Sequence, residues 1–338
     1  MRPVRRGSDR KRAMRSLLTA VCWLVLGLAL AVSARAAPPC GQNALGVARI
    51  LEIDTAGGPV FGSVTRLEKE ASFLRRNEVV LTFDDGPMPG VTRPILDVLD
   101  RFCVKATFFP VGRMALAHPD LVKEVAARGH TLGSHTWSHP KLRELPIELA
   151  GEEVERGFAA VALAAGRPTA PFFRFPGLGD SEQLLSFLQL RAIATFTVDV
   201  ISNDSFIADP DQLAQTALAA IEARHGGIVL FHDIKPQTAA ALPILLAALK
   251  ERGYQIVHLR AKANYEPPSD VTAGLRRLFA SEGTNGRPAA VLEGLGDDSG
   301  SQATLARSRH AKPPATAEPS RPDWAATVLR RLNRPDVR

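Results

Sequence analysis

The chain has 338 residues, 42 Lys and Arg against 35 Asp and Glu, 45% hydrophobic residues and three cysteines. Its formal charge of +7 arises within residues 1–36, where eight basic side chains stand against one Asp. The remainder is balanced, so the basic excess is not the footprint of a nucleic-acid-binding surface.

Those first 36 residues have the layout of an export signal: basic "MRPVRRGSDRKRAMR", apolar "SLLTAVCWLVLGLALAV", and "ARA" at 34–36 as a small-x-small cleavage site. The apolar run is short for a membrane span. The expected mature chain starts near Ala37 and is periplasmic or secreted, with membrane attachment only through an uncleaved signal. Cys22 leaves with the signal, and an oxidising compartment permits a bond between Cys40 and Cys103. Cys103 opens an apolar run, however, and reads as a buried thiol. Residues 37–76 read as an arm packed on the following domain or as a loop over its site.

From Glu78 onward, short apolar runs alternate with helical ones. The expected strands are "EVVLTFD" (78–84), "VKATFFPV" (104–111), "GHTLGS" (129–134), "APFFRF" (170–175), "ATFTVD" (194–199), "GIVLFH" (227–232) and "YQIVHL" (254–259). Helices are expected between them, as in "VTRPILDVLDRF", "PDLVKEVAAR", "PIELAGEEVERGFAAVALAA", "SEQLLSFLQL", "PDQLAQTALAAIEARH" and the run ending "ALPILLAALKER". Seven β-α steps predict an α/β fold with a parallel sheet, open or closed into a barrel. From residue 267 to 338 the composition turns to Ala, Pro, Arg, Gly and Ser, and a disordered tail is expected.

Polar residues gather where these strands end: Asp84 and Asp85 after the first, His135 after the third, Arg174 after the fourth. Asp199 ends the fifth and His232 the sixth. Parallel α/β folds build their sites at strand C-termini. In "TFDDGP" (82–87) adjacent strand residues point to opposite sides, so one carboxylate can ligate a metal while the other faces substrate. His135 and His139, four positions apart in "GSHTWSHP", would share one face of a helical turn. With one Asp they form a two-His, one-carboxylate set with open positions, suited to zinc or iron. His232 in "IVLFHD" is placed to protonate a leaving group.

Taken in order, "TFDDGP", "HTWSHP", "RFPG" and "LFH", with "KATFF" at 105–109, resemble the motifs of the NodB-type polysaccharide deacetylases, carbohydrate esterase family four. The resemblance spans residues 77–262. It implies a distorted barrel of seven β-α units, one divalent metal, usually zinc, and removal of acetyl groups from N-acetylated sugars. By that resemblance Asp84 is the general base and Asp85, His135 and His139 are the metal ligands. Arg174 pairs with Asp84 and keeps it ionised, His232 protonates the departing amine, and Leu230 lines the acetyl pocket. Pro176 and Asp199 are expected at the substrate, and a backbone N–H just past Asp85 is expected to face the oxyanion.

Two departures from the motifs stand out. Gly177 follows Pro176 where an aromatic residue is usual, and "DVISNDS" (199–205) lacks the usual middle acid and Trp, with Phe206 adjacent. The acid that orients His232 is then Asp204 or Asp199, with Asp204 favoured by position. The expected partner is an N-acetylated glycan, peptidoglycan first and chitin-like polymers next, met by a monomer. An O-acetyl esterase, a small-amide hydrolase and an inactive glycan-binding member remain open alternatives.

Overall fold

The apolar runs from Glu78 onward form parallel strands buried on both faces, as their near-continuous hydrophobicity requires. The computed structural model describes Cys40 and residues 44–282; the expected signal at 1–36 and the expected tail past 282 lie outside the described residues. In chain order the strands are β1 (Val47–Ile53), β2 (Val60–Phe61), β3 (Glu78–Asp84), β4 (Thr107–Phe109) and β5 (Thr131–Leu132). They continue with β6 (Phe172–Phe173), β7 (Ala194–Phe196), β8 (Val200–Ile201), β9 (Gly226–His232) and β10 (Gln255–Ala261). The helices are α1 (Thr92–Arg101), α2 (Gly112–Ala117), α3 (Pro119–Ala127), α4 (Ile147–Ala165), α5 (Glu182–Leu190), α6 (Pro210–Arg224), α7 (Pro236–Glu251) and α8 (Ser269–Glu282).

β3 is the central strand. It pairs with β9 over its whole length and with β4 over Thr82–Asp84. β4 continues to β5, β5 meets β6 through a bridge between Ser134 and Phe173, β6 pairs with β7, and β8 returns to β9. The ring is a distorted barrel, because its ladders break into a seven-stranded and a three-stranded sheet. β7 and β8 are two parts of the expected fifth strand, which therefore runs past Asp199 to Ile201.

The period of two along β3 decides what faces the site. Val79, Leu81 and Phe83 join the core between strands and helices, while Val80 belongs to the barrel interior with Phe172, Phe196, Ile228, Leu230 and Leu259. Thr82 and Asp84 share the face of Val80. The strand thus delivers a carboxylate to the mouth of an apolar barrel.

One expectation gains detail here and two need correction. The arm at 37–76 contributes a strand of its own, β1, which pairs in parallel with β10. The expected tail fails over its first turns: α8 packs on the domain, and Leu275 is buried in the helix-facing core with Val271 against it. Cys103 is not a free thiol but is bonded to Cys40 across a sequence separation of 63. Its apolar flank made burial visible, but a partner so distant in sequence left no local signal. Among the described residues no helix is long and apolar enough to cross a membrane.

Candidate active site

At the end of β3 the chain turns sharply: Asp85 has φ 76°, and the Gly86–Pro87 peptide is cis. The left-handed residue breaks strand alternation, so both carboxylates turn toward the same hollow rather than to opposite sides. Asp84 Oδ2 lies 3.9 Å from His135 Nε2, and Asp85 Oδ1 lies 3.5 Å from the same nitrogen. His139 Nε2 is 3.4 Å from Asp85 Oδ1.

HTWSH is not a helical turn. Thr136 and His139 have φ of 72° and 61°, and the segment after the Ser134 bridge is a loop. His139 donates its N–H to Thr136 Oγ1, and Glu153 on α4 accepts from both the N–H and the hydroxyl of Ser138. Gly157 on the same helix permits the close approach, since a Cβ there would sit 2.5 Å from the Thr136 carbonyl carbon. Helical spacing brought these histidines to notice, but a braced loop brings them together, with ring centroids 4.9 Å apart.

The three atoms Asp85 Oδ1, His135 Nε2 and His139 Nε2 fit a divalent cation. One ligand atom from each residue lies within 4.8 Å of the others. His135 donates Nδ1–H to the Arg174 carbonyl oxygen at 2.8 Å, which leaves a lone pair on Nε2. Burial, then the neighbouring His139, holds the His135 pKa well below its usual value, so the ring is neutral. Asp85 Oδ1, an acceptor without a hydrogen-bond partner, faces that lone pair. Two opposed lone pairs in a buried site are repulsive until a cation separates them. Contacts of 3.4 and 3.5 Å also match the edge, about 3.3 Å, of a zinc tetrahedron with ligands at ~2.0–2.1 Å.

Arg174 is fully buried and braces Asp84 from behind. Its Nη1 donates to Asp84 Oδ1 and to Thr82 Oγ1, each at 2.8 Å, and its Nε donates to the Phe196 carbonyl. The guanidinium also lies 4.4 Å above the Phe109 ring. It pulls Asp84 toward the charged form, in the expected direction, but burial is the larger influence. Burial raises the Asp84 pKa to about 6, outweighing the downward pulls of Arg174 and His232. The Asp84 pKa thus lies close to neutral pH with the group still mostly charged, which suits a general base.

His232, the last residue of β9, faces the triad from the other side, with Nε2 3.9 Å from Asp85 Oδ2. Asp204 holds it twice: Oδ1 accepts Nδ1–H and Oδ2 accepts the backbone N–H, both at 2.7 Å. Burial alone would lower the His232 pKa, but the bond and charge of Asp204, then Asp85 and Asp84, raise it to about 9. The ring is therefore cationic at neutral pH, with its proton donor aimed at the hollow.

Asp199 is not brought to the site. Its Oδ2 accepts the Ile228 N–H, and its Cβ packs so closely on Gly227 that a side chain there would meet it at 2.6 Å. Those residues begin β9, at the opposite end of the barrel from His232. Leu230 lies one pleat below His232, buried toward the barrel interior. Pro176 is buried in the turn after Phe175. Beside it, Gly177 leaves open space where a side chain would stand.

The expected amide donor past Asp85 is also corrected. Gly86 N–H is held by Asp233 Oδ1 at 3.0 Å, Pro87 has none, and Met88 N–H is held by Thr92 Oγ1 at 2.8 Å. Asp233 is the residue that sequence reasoning passed over. It stood in the quoted "IVLFHD", and burial, against bonds from Thr92 and Gly86, raises its pKa to about 7.

Comparisons with known proteins agree with this geometry. The family described as polysaccharide deacetylase matches over residues 74–193. A chitooligosaccharide deacetylase of Rhizobium leguminosarum bv. trifolii is 34% identical over 201 residues, covering 55% of this chain and 92% of that protein. The peptidoglycan-N-acetylglucosamine deacetylase PgdA of Listeria monocytogenes is 37% identical over 180 residues, 53% of this chain. The chain spans only 37% of that longer relative. Among solved structures, a Bdellovibrio bacteriovorus peptidoglycan deacetylase superposes with TM-score 0.57 at 35% identity, covering 64% of this chain and 59% of that one.

Proposed function

Because the chain belongs to the NodB-type polysaccharide deacetylase family, we propose that it is a metal-dependent hydrolase of N-acetyl groups on N-acetylglucosamine-containing glycan. The single observation that carries this reading is the convergence of Asp85, His135 and His139 between Asp84 on one side and His232 on the other.

A divalent cation, zinc by the donor set, would be held by Asp85, His135 and His139, and would acidify water and polarise the acetyl carbonyl. Asp84 keeps Oδ2 directed at the hollow while Arg174 holds Oδ1, so one carboxylate oxygen is available to take a proton from the attacking water. His232 carries a proton on Nε2 and gives it to the departing nitrogen, while Asp204 fixes the ring and stabilises its cationic form. A donor with a pKa near 9 suits an amine leaving group. That favours amide hydrolysis over cleavage of an O-acetyl ester, whose alcohol departs with less help. The intact set of base, acid and ligands favours an enzyme over an inactive glycan-binding relative.

Peptidoglycan is the proposed first substrate. The leader-like residues 1–36 support an exported protein, and the Cys40–Cys103 bond suits an oxidising compartment. The test is acetate release from peptidoglycan and from N-acetylglucosamine oligomers, with and without chelator and added zinc. Chelator-sensitive release, absent in Asp84→Asn, is the expected result. Full metal occupancy without release from any acetylated glycan would overturn the reading.

A further inference from the structure

A second concave surface lies far from the hollow described above. His130 immediately precedes β5 and Ala170 lies two residues before β6, whereas His135 and Arg174 follow those strands. Between them and the end of β10 is a groove of about 440 Å³, lined by His130, Thr169, Arg167, His258, Arg260 and Asn264 among others. It contains two arginines, and no Asp or Glu lines it. Arg167 and Arg260 are both exposed, and neither has an ion-pair partner among the described residues.

The buried wall of the groove is also short of acceptors. His130 is 2% exposed, and its Nδ1 accepts the Ala106 N–H at 3.1 Å. Burial, then Lys105, keeps the ring neutral, so its single proton sits on Nε2. That Nε2 has no partner, and neither does the buried hydroxyl of Thr169. His258 is accounted for differently: Thr131 donates its hydroxyl to the Leu259 carbonyl and therefore accepts from His258 Nε2 at 3.0 Å. The groove thus joins two unpaired guanidinium groups to an orphaned imidazole N–H and an orphaned hydroxyl. Buried donors are almost always satisfied in native proteins, so this set asks for an acceptor.

We propose that this groove is a second binding site, for an oxyanion such as a carboxylate or phosphate group. An uncharged sugar has no use for two free guanidinium groups, whereas planar or tetrahedral oxyanions match their paired N–H donors. The site would hold an anionic group of a polymer, or a free anion, at the end of the barrel opposite the candidate active site. The inference does not depend on the hydrolase reading.

The test uses the full chain, stripped of metal and dialysed free of chelator, titrated separately with inorganic phosphate and with acetate. His130 ring resonances are followed by NMR and heats by calorimetry. A saturable shift at His130 is expected, with phosphate alone, acetate alone or both identifying which oxyanion the site takes. Arg167→Ala and Arg260→Ala, both at exposed positions, should each weaken that binding about tenfold and leave acetate release from glycan unchanged. Unmoved His130 resonances, or a shift that survives the double arginine variant at full affinity, would overturn the proposal and leave only ordered water at His130.

Discussion

Gly86 donates its backbone N–H to Asp233 Oδ1 at 3.0 Å, and this bond fastens the Asp84–Asp85 turn to the turn that follows His232. The Thr92 hydroxyl donates to Oδ2 at 2.7 Å, and Asp233 returns its own N–H to the Asp84 carbonyl at 3.2 Å. A Cβ at Gly86 would meet the same carboxylate at 2.1 Å, so the contact also requires glycine. Asp233→Ala would leave the Gly86 N–H unpaired, at about 1–3 kcal/mol, and leave the Thr92 hydroxyl only its longer bond to the Asp233 carbonyl oxygen at 3.2 Å. Thermal unfolding should reveal that loss, and turnover should fall through displacement of the turn. Asp233→Asn retains an acceptor for Gly86 and should recover most of both. Wild-type stability and turnover in the Ala variant would remove Asp233 from any positioning role.

Metal content separates the two aspartates. His139 sits at the rim with 36% of its side chain exposed, so His139→Ala should fold normally yet lose metal on dialysis and lose activity with it. Asp84→Asn removes only the charge of the proposed base and should retain stoichiometric metal while turnover is abolished. The opposite pattern in elemental analysis would exchange the roles of Asp84 and Asp85.

The pH profile follows from two shifted groups. Asp84 titrates at about 6 by itself, and a neighbouring cation favours its charged form, so the acid limb of kcat/KM should fall below about 6. The basic limb should lie at or below about 9, where His232 loses its proton, because the same cation disfavours the charged ring. The same shift contributes stability: for a histidine raised in the folded state, the gain is complete below about 6.5 and is lost as pH rises through about 9. Asp204→Asn removes the main upward cause, so its basic limb should move down toward neutrality. An unmoved limb would dissociate it from His232.

The domain does not end at residue 266. Leu275 is 3% exposed in the main core, and Leu275→Ala should cost about 2–5 kcal/mol. A chain stopped at 266 loses the whole of α8 and should melt well below one stopped at 282. Equal melting temperatures would show that α8 adds nothing.

The Cys40–Cys103 bond closes a long loop, its ends 63 positions apart. Cys103→Ser should lower unfolding free energy by about 2–4 kcal/mol under oxidising conditions, with acetate release little changed at low temperature. Identical stability of the oxidised protein and the variant would mean that the bond does not form in solution.

Much of the fold was written in local pattern. EVVLTFD becomes a strand over Glu78–Asp84 because seven residues buried on both faces must be nearly all apolar. PIELAGEEVERGFAAVALAA holds its helix, Ile147–Ala165, until Gly166 turns left-handed at its end. The shorter strands were placed but overestimated, since curvature at β5 and β6 leaves two residues each in a ladder. β1 was missed because its alternating partly buried and exposed residues belong to an edge strand, read against a partner two hundred positions away.

The sequence by itself determined the chemistry available: two adjacent carboxylates, two histidines four apart, an arginine and a third histidine, each at or after an apolar run. Residue type and hydrophobic period are local properties, and both survive any change in the loops. Only the tertiary structure decided which acid holds His232, because Asp199 and Asp204 are five residues apart yet reach opposite ends of β9. It also decided that HTWSH is a braced loop, that Asp85 turns inward, that Cys103 is bonded, and that Asp233 locks the site. Each of these rests on a left-handed backbone or a partner distant in sequence, and such contacts exist only once the barrel has closed.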